Sequence, residues 1–167
     1  MTLRRLLMLA GAAALAVAIV FALLREVDRE EASLKRSISG IVETAPGAAD
    51  LARTDRLALL LIDPESGRVM ALKYASPFIP PLAMTIGEAD AAPGAALNGS
   101  FFLLGISDKD GDVTHAQIGE AIGRSAAPIP IGTERVQLLL DRPFRGELPE
   151  DLASEIKHFQ AGTYRRD

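Results

Sequence analysis

The chain has 167 residues, with 18 lysines and arginines against 22 aspartates and glutamates, a net charge of −4 and no cysteine. Without cysteine it cannot form disulfides, thiolate zinc sites or iron–sulfur clusters, and it cannot attach haem through Cys-x-x-Cys-His. The acidic balance disfavours a nucleic-acid partner, because phosphate binding needs clustered Lys and Arg. The length suits one folded domain together with an anchor and a tail.

The first element is an uncharged, apolar run from Leu6 to Leu24, preceded by Arg4 and Arg5. At about 1.5 Å per helical residue it matches the roughly 30 Å hydrocarbon thickness of a bilayer, which predicts an N-terminal transmembrane helix. A cleaved signal peptide is the alternative, with Ala16-Val17-Ala18 as its cleavage site. The apolar residues that continue as far as Leu24 favour a retained anchor.

The charges beside this run predict its orientation in a bacterial inner (cytoplasmic) membrane. Arg4 and Arg5 favour a cytoplasmic N-terminus. The other flank is also basic, although its positive charges are interleaved with acids: Arg25, Arg29, Lys35 and Arg36. Long C-terminal domains translocate largely regardless of charge. We therefore expect a single-pass protein of the lipid bilayer, with its C-terminal domain in the periplasm.

Small residues recur every four positions along the predicted span: Ala14, Ala18 and Ala22, and likewise Ala12 and Ala16. Small side chains at this spacing let a second transmembrane helix approach closely, so the stripe predicts packing against other membrane protein subunits. The alternative is that alanine is simply common in this chain.

Beyond a helical stalk that ends at residue 36, short apolar runs alternate with turn residues at a spacing of roughly 10–15 residues. This pattern predicts a mainly β domain over residues 37–142, an immunoglobulin-like β-sandwich of about seven strands. Residues 1–36 then form the cytoplasmic tip, the transmembrane anchor and the stalk. The predicted strands are Ile38–Glu43, Arg56–Ile62, Arg68–Tyr74, Leu82–Ile86, Ser100–Ser107, Asp112–Ile118 and Glu134–Asp141.

Two turns between these strands have recognisable chemistry. Asp63-Pro64-Glu65-Ser66-Gly67 places proline where φ is preset and glycine where φ is positive, which predicts a turn between the second and third strands. Asp108-Lys109-Asp110-Gly111 ends in the Asp-Gly pair that is typical of a hairpin, here between the fifth and sixth strands.

Three strands are apolar on consecutive residues: Leu57–Ile62, Phe101–Leu104 and Leu138–Leu140. A sandwich strand with one wet face should instead alternate apolar and polar side chains. These runs predict that both faces of the strands are covered, either by other parts of the chain or by a partner.

The tail, residues 143–167, contains a predicted amphipathic helix from Pro149 to Gln160. Leu152, Ile156 and Phe159 lie on one face at i, i+4 and i+7, and acids occupy the first turn. This face docks either on the chain's own domain or, in the sharper interpretation, on a partner. The three residues are therefore candidate partner contacts.

Three alternating carboxylates, Asp108, Asp110 and Asp112, suggest calcium binding. An EF-hand loop needs glycine at its sixth position and glutamate at its twelfth, but counting from Asp108 these are Val113 and Gly119. The pattern fails, and a solvated hairpin turn is favoured instead.

The remaining residues predict no reaction. His115 and His158, the only histidines, lie in different elements without a pattern of metal ligands, and no Gly-x-Ser-x-Gly elbow or phosphate-binding loop is present. We expect a non-enzymatic protein with no catalytic, cofactor-binding or metal residue, no bound cofactor and no small-molecule substrate.

The order of several segments resembles the C-terminal β-domain of the cytochrome c biogenesis factor family CcmI (CycH). The segments, within residues 37–142, are Ile38–Val42, Ala71–Lys73, Phe78–Leu82, Ser107–Asp112 and Val136–Asp141. The resemblance implies a periplasmic β-sandwich on a membrane-anchored factor that helps to deliver apocytochrome c to the haem-ligation machinery. The family's helical (TPR) repeats are absent, since no period of about 34 residues occurs.

Together these features predict a structural or interaction subunit. Its expected partners are other membrane protein subunits, a c-type cytochrome, or both, within a respiratory or photosynthetic electron-transfer complex. The alternative that the resemblance implies is an accessory factor in cytochrome c maturation, which binds apocytochrome or haem-ligation proteins.

Overall fold

A computed structural model of the chain describes residues 36–48, 50 and 55–161. The predicted span from Leu6 to Leu24, including the candidate packing alanines Ala12, Ala14, Ala16, Ala18 and Ala22, lies outside the described residues. Within the described ranges, no helix is both long and apolar enough to cross a membrane.

The described residues form nine strands, one 3-10 helix at Glu88–Asp90 and one α-helix. The strands are β1 Ser37–Thr44, β2 Arg56–Ile62, β3 Val69–Ala75, β4 Leu82–Gly87, β5 Ser100–Asp108, β6 Ala121–Arg124, β7 Ile129–Pro130, β8 Val136–Leu140 and β9 Arg142–Pro143. The α-helix, α1, is Glu150–Gln160. The prediction of a mainly β domain with a short C-terminal helix is confirmed.

The strands build two sheets. The smaller sheet has the order β4-β1-β8, in which β1 is antiparallel to β4 and parallel to β8. The larger sheet has the order β3-β2-β5-β6-β9, with β7 paired to β5, and every pairing in it is antiparallel. The strand order within each sheet therefore differs from the order along the chain.

Strand β2 is buried on both faces. Leu57, Leu59 and Leu61 point into the core between the two sheets, whereas Leu60 and Ile62 enter a second core on the opposite face. The residues of β5 divide in the same way, and the second core also contains residues of α1. The described residues thus form three layers: the smaller sheet, the larger sheet and α1. Elements of the chain itself cover both faces of β2 and β5.

Helix α1 docks on its own domain. Ile156 is fully buried in the second core, with Leu152 and Phe159 packed against the same cluster. The sequence left open whether this helix docks on its own domain or on a partner, and in the structure it docks on its own domain. Ile156 is therefore inaccessible to a partner in this arrangement.

One predicted strand is absent, and the predicted burial of one other strand is wrong. Residues Asp112–Ile118 form turns, because the Asp112 carboxylate accepts hydrogen bonds from the Thr114 backbone and hydroxyl and so curls the chain. The apolar run in β8 is buried on one face only: Leu138 and Leu140 are buried, whereas Leu139 points outward and is 47% exposed. The short strands β6, β7 and β9 were not predicted, because two to four residues are too few to show a period.

Strand β8 lies against three glycines. A Cβ atom added at Gly40 of β1 would be 1.9 Å from the Val136 carbonyl oxygen, and one at Gly123 of β6 would be 2.0 Å from the Leu139 carbonyl oxygen. At Gly105 of β5, an added Cβ would be 2.7 Å from a methyl group of Leu138. Only glycine allows β8 to approach its neighbour β1, and β5 and β6 of the larger sheet, this closely.

We predict that Gly40→Ala destabilises the fold by about 3 kcal/mol or more, because backbone atoms of β8 cannot move away from the new methyl group. Gly67→Ala is the matched control: the Cβ there meets open space, and only the positive φ of 71° is strained. That control should cost about 1 kcal/mol. Urea unfolding of both variants measures the difference, and equal losses would contradict the close approach.

Candidate functional site

Polar side chains gather where β2 begins and β5 ends. Arg56 and Asp108 face each other in the register of these strands, and Arg56 donates from Nε and Nη2 to Asp108 Oδ2 at 3.1 and 2.6 Å. The Asp108 side chain is completely buried, whereas the Arg56 side chain is 37% exposed and covers the carboxylate from the surface. The prediction of a solvated turn therefore fails at its first residue.

The turn itself is present. Asp108 Oδ1 accepts the Gly111 backbone N–H at 2.7 Å, and Gly111 has a φ of 97°. A Cβ at Gly111 would also lie 2.8 Å from Arg56 Nη2. The glycine is therefore required both by the left-handed backbone and by the Arg56 side chain that reaches the same carboxylate.

Three carboxylates converge beside this turn, with ligand atoms within 4.8 Å of one another: Asp108, Asp110 and Glu120. We call them the acidic cluster. The sequence pattern suggests Asp112 as the third member, but Asp112 turns away to Thr114, and Glu120 returns from the far end of the loop. No spacing rule would have identified Glu120, because the loop has to fold before its ends meet.

Every carboxylate oxygen of the acidic cluster accepts a hydrogen bond from this chain. Glu120 accepts the backbone N–H groups of Lys109 and Gln117 at 2.7 and 2.8 Å. Asp110 accepts the Asp112 backbone N–H and the Gln117 side-chain amide. Carboxylates at this spacing are ligands that Ca²⁺ prefers, yet here their hydrogen bonds already close the loop.

Burial raises the pKa of Glu120, and the nearby charges of Asp108 and Asp110 act in the same direction. Its two backbone hydrogen bonds oppose this shift by favouring the ionised form. Glu120 is therefore a carboxyl that the fold holds near other negative charges, where its hydrogen bonds close the loop.

Both histidines line one open groove of about 570 Å³, between the 112–116 turns, the segment before α1 and α1 itself. We call it the histidine groove; it is lined by Thr114, His115, Glu147, Leu148, Glu150, Ala153, Ser154, Lys157 and His158. The sequence places the two histidines in separate elements, and the docking of α1 on its own domain brings these elements together.

The groove contains an arrangement that resembles a nucleophile with a base. The Thr114 hydroxyl lies 3.1 Å from His115 Nδ1, and Asp112 Oδ2 lies 3.1 Å from the same nitrogen. A catalytic relay needs the hydroxyl and the carboxylate on different ring nitrogens, and Glu147 Oε1 does lie 3.4 Å from His115 Nε2. Thr114 is buried, however, and its hydroxyl donates to Asp112 Oδ1, which lowers the pKa of Asp112. The Thr114 hydroxyl therefore holds the turn.

No protein-family model matches this chain, and no curated protein matches it. A solved structure, an alternative pilotin from the type II secretion system of Vibrio cholerae, is similar over 64% of this chain and 95% of that chain. Its TM-score is 0.43 and its sequence identity is 14%. A similarity of this size assigns neither a fold family nor a function to the chain.

We predict that Arg56→Met costs about 3 kcal/mol of stability, because it leaves the buried Asp108 carboxylate without its cation. Arg36→Met is the matched control, since Arg36 pairs with Glu88 at 2.7 Å on the surface. Such an exposed pair contributes at most about 1 kcal/mol. Adding Asp108→Asn to Arg56→Met should restore part of the loss, and denaturant unfolding of the three variants tests the order.

The raised pKa of Glu120 predicts a pH dependence of stability. The folded protein binds a proton at this carboxyl more readily than the unfolded chain, so stability increases as pH falls from neutral towards 4.5 and decreases as pH rises through the folded pKa. The lowered pKa values of Asp63 and Asp112 act in the opposite direction, at pH values below about 4.

Glu120→Gln should flatten this slope, measured as the free energy of unfolding in urea at several pH values in that interval. Glu134→Gln, at an exposed position before β8, is the control and should leave the slope unchanged. Parallel slopes for the wild type and Glu120→Gln would contradict the assignment.

Proposed function

We propose that this chain is a non-enzymatic, membrane-anchored structural or interaction subunit whose β domain faces the periplasm. The observation that carries the proposal is the uncharged run from Leu6 to Leu24 placed just ahead of a folded domain that begins at Ser37. A domain tethered in this way works beside a membrane. The finer description of the domain as an immunoglobulin-like sandwich belongs to the same proposal, supported by its two facing sheets.

The polar sites of the domain support a binding role over a reaction. The oxygens of the acidic cluster accept hydrogen bonds that close a loop, and the Thr114 hydroxyl in the histidine groove is buried. Both sites hold turns in place within the part of the chain that the structure describes.

The outer face of the smaller sheet supports the same role. Ile41 is 42% exposed and Leu139 is 47% exposed, and the exposed Ala83 lies directly opposite Ile41 on β4. The larger sheet has α1 over its outer face, whereas these apolar side chains of the smaller sheet are open to contact. Ile41 and Ala83 adjoin each other, whereas Leu139 lies opposite Glu43, so the exposed face is mixed apolar and polar. Exposed apolar side chains on such a face are candidates for contact with another protein.

We further propose that the partners belong to a membrane electron-transfer complex, such as subunits that carry c-type cytochromes. The alternative function is that of a CcmI-like accessory factor in cytochrome c maturation. The order of the segments from Ile38–Val42 to Val136–Asp141 favours this alternative, and the absent helical repeats favour the structural subunit.

Fractionation of cells that express the chain with a C-terminal tag tests the anchor. We expect the full chain to resist extraction from membranes by alkaline carbonate, because an apolar helix of this length stays in the bilayer. A variant that lacks Leu6–Leu24 should be extracted. Recovery of the full, uncleaved chain in the soluble fraction would contradict the proposal.

Gentle solubilisation and capture of the tagged chain separates the two functions. Stoichiometric recovery with respiratory or photosynthetic subunits is expected for the structural role, and Ala18→Leu should reduce that recovery by filling the small-residue stripe. Recovery only with haem-ligation proteins would support the maturation role and contradict the structural one.

A further inference from the structure

The chain contains a single asparagine, Asn98, and a glycine follows it. Both residues lie in the loop that leads into β5, and both are exposed. Surface loops are where a chain is most accessible to chemical change. In an Asn-Gly pair the side-chain amide is open to attack by the next backbone nitrogen, because glycine has no side chain to block the approach.

The reacting groups of this pair make no competing hydrogen bonds. Within the part of the chain that the structure describes, neither the Asn98 side-chain amide nor the Gly99 backbone N–H has a hydrogen-bond partner. A Cβ atom added at Gly99 would meet nothing within 4 Å, so the space beside this residue is open. The loop around them is nevertheless fixed, because the Asn98 N–H donates to the Ala96 carbonyl and the Gly99 carbonyl accepts the Ile131 N–H.

A second pair with a similar sequence and backbone provides the contrast. Asp110 precedes Gly111, and Gly99 and Gly111 both have a φ of 97°. The Gly111 N–H donates to Asp108 Oδ1 at 2.7 Å, and the Asp110 carboxylate accepts two hydrogen bonds. A Cβ atom added at Gly111 would lie 2.8 Å from Arg56 Nη2. The fold therefore engages the glycine nitrogen of one pair and leaves that of the other pair without a partner.

We propose that Asn98 is a site of spontaneous modification, at which the side-chain amide is lost through a succinimide. The Gly99 backbone nitrogen gives up its proton to hydroxide and attacks Asn98 Cγ. A bond forms between these two atoms, the bond from Cγ to the side-chain nitrogen breaks, and ammonia leaves. Water then opens the ring, at Cγ to give aspartate or at the backbone carbonyl carbon to give isoaspartate. The sum consumes one water and releases one ammonia.

The modification changes the end of the domain where β1 begins. The Gly99 carbonyl accepts from Ile131 there, and the Ser37 carbonyl accepts the Gly132 N–H at 2.9 Å. Either product adds one negative charge beside these contacts. Isoaspartate also adds a methylene to the backbone just ahead of Ser100, where β5 pairs with β7. This inference is independent of the proposed membrane function.

Peptide mapping of the purified full-length chain tests the site directly, because no other asparagine contributes. One sample is kept folded at neutral and at mildly alkaline pH, and a parallel sample is kept in urea. Mass spectrometry follows the conversion of Asn98, and synthetic peptides distinguish aspartate from isoaspartate by retention time. We expect the rate in the folded chain to lie within about threefold of the rate in urea, since no contact protects the pair. The rate should rise with pH, because the attacking nitrogen has to lose its proton.

Asp110→Asn is the matched control, because it places the same Asn-Gly sequence where the Gly111 nitrogen already donates a hydrogen bond. In the folded chain, we expect conversion at position 110 to be at least about tenfold slower than at Asn98, and in urea the two rates should agree within about threefold. Equal rates at the two positions in the folded chain would overturn the proposal. Protection of Asn98 by more than about tenfold relative to urea would also overturn it.

Gly99→Ala tests the route of the reaction. The added Cβ meets open space, so the fold has to accommodate only the positive φ. Conversion of Asn98 should fall by about tenfold or more, because the methyl group obstructs the attacking nitrogen. Unchanged conversion would show that the amide is lost without the succinimide and would contradict the proposal. Residues 98–100 also form an Asn-x-Ser sequence, and a sugar found on Asn98 in place of aspartate would contradict it as well.

Discussion

The two central strands of the larger sheet, β2 and β5, are apolar on both faces, and the rest of the fold is arranged to cover them. Along β2 the side chains alternate between the two cores, so neither face can be left to water. The smaller sheet covers one face. Helix α1 and the turns after β5 cover the other. The cost of exposing either face, about 25 cal/mol for each Å² of apolar surface, makes a three-layer domain the stable solution.

This constraint also determines where polar groups can be placed. Because β2 and β5 accept few polar side chains along their length, the charged residues lie where these strands begin and end. Arg56 and Asp108 pair across that edge, and Glu120 closes the loop beside them. Strand β8 can lie close to β1 and β6 because both present glycine to it. On the outer face of the larger sheet, α1 contributes the fully buried Ile156 to the second core.

The elements with a strong local signal could be predicted from the sequence. β2 has the predicted bounds, and the Asp63–Gly67 turn forms through the Asp63 carboxylate, which accepts the Ser66 backbone N–H and hydroxyl. The runs of consecutive apolar residues in β2 and β5 correctly indicated two covered faces. The two failures have different physical causes. Asp112–Ile118 has strand composition, but local hydrogen bonds from Thr114 to the Asp112 carboxylate curl the chain. Glu120 reaches the acidic cluster only after the loop has closed, so a contact between distant residues decides its place.

The most direct test of the two-face constraint compares neighbouring residues of β2. Leu59 and Leu60 point into different cores, so Leu59→Asp and Leu60→Asp should each destabilise the protein by at least about 3 kcal/mol in urea unfolding, because each buries an unpaired charge. Leu139→Asp, on the outer face of β8, should be tolerated. If either β2 variant were as stable as Leu139→Asp, one face of the central strand would be exposed to water, and the three-layer account would be contradicted.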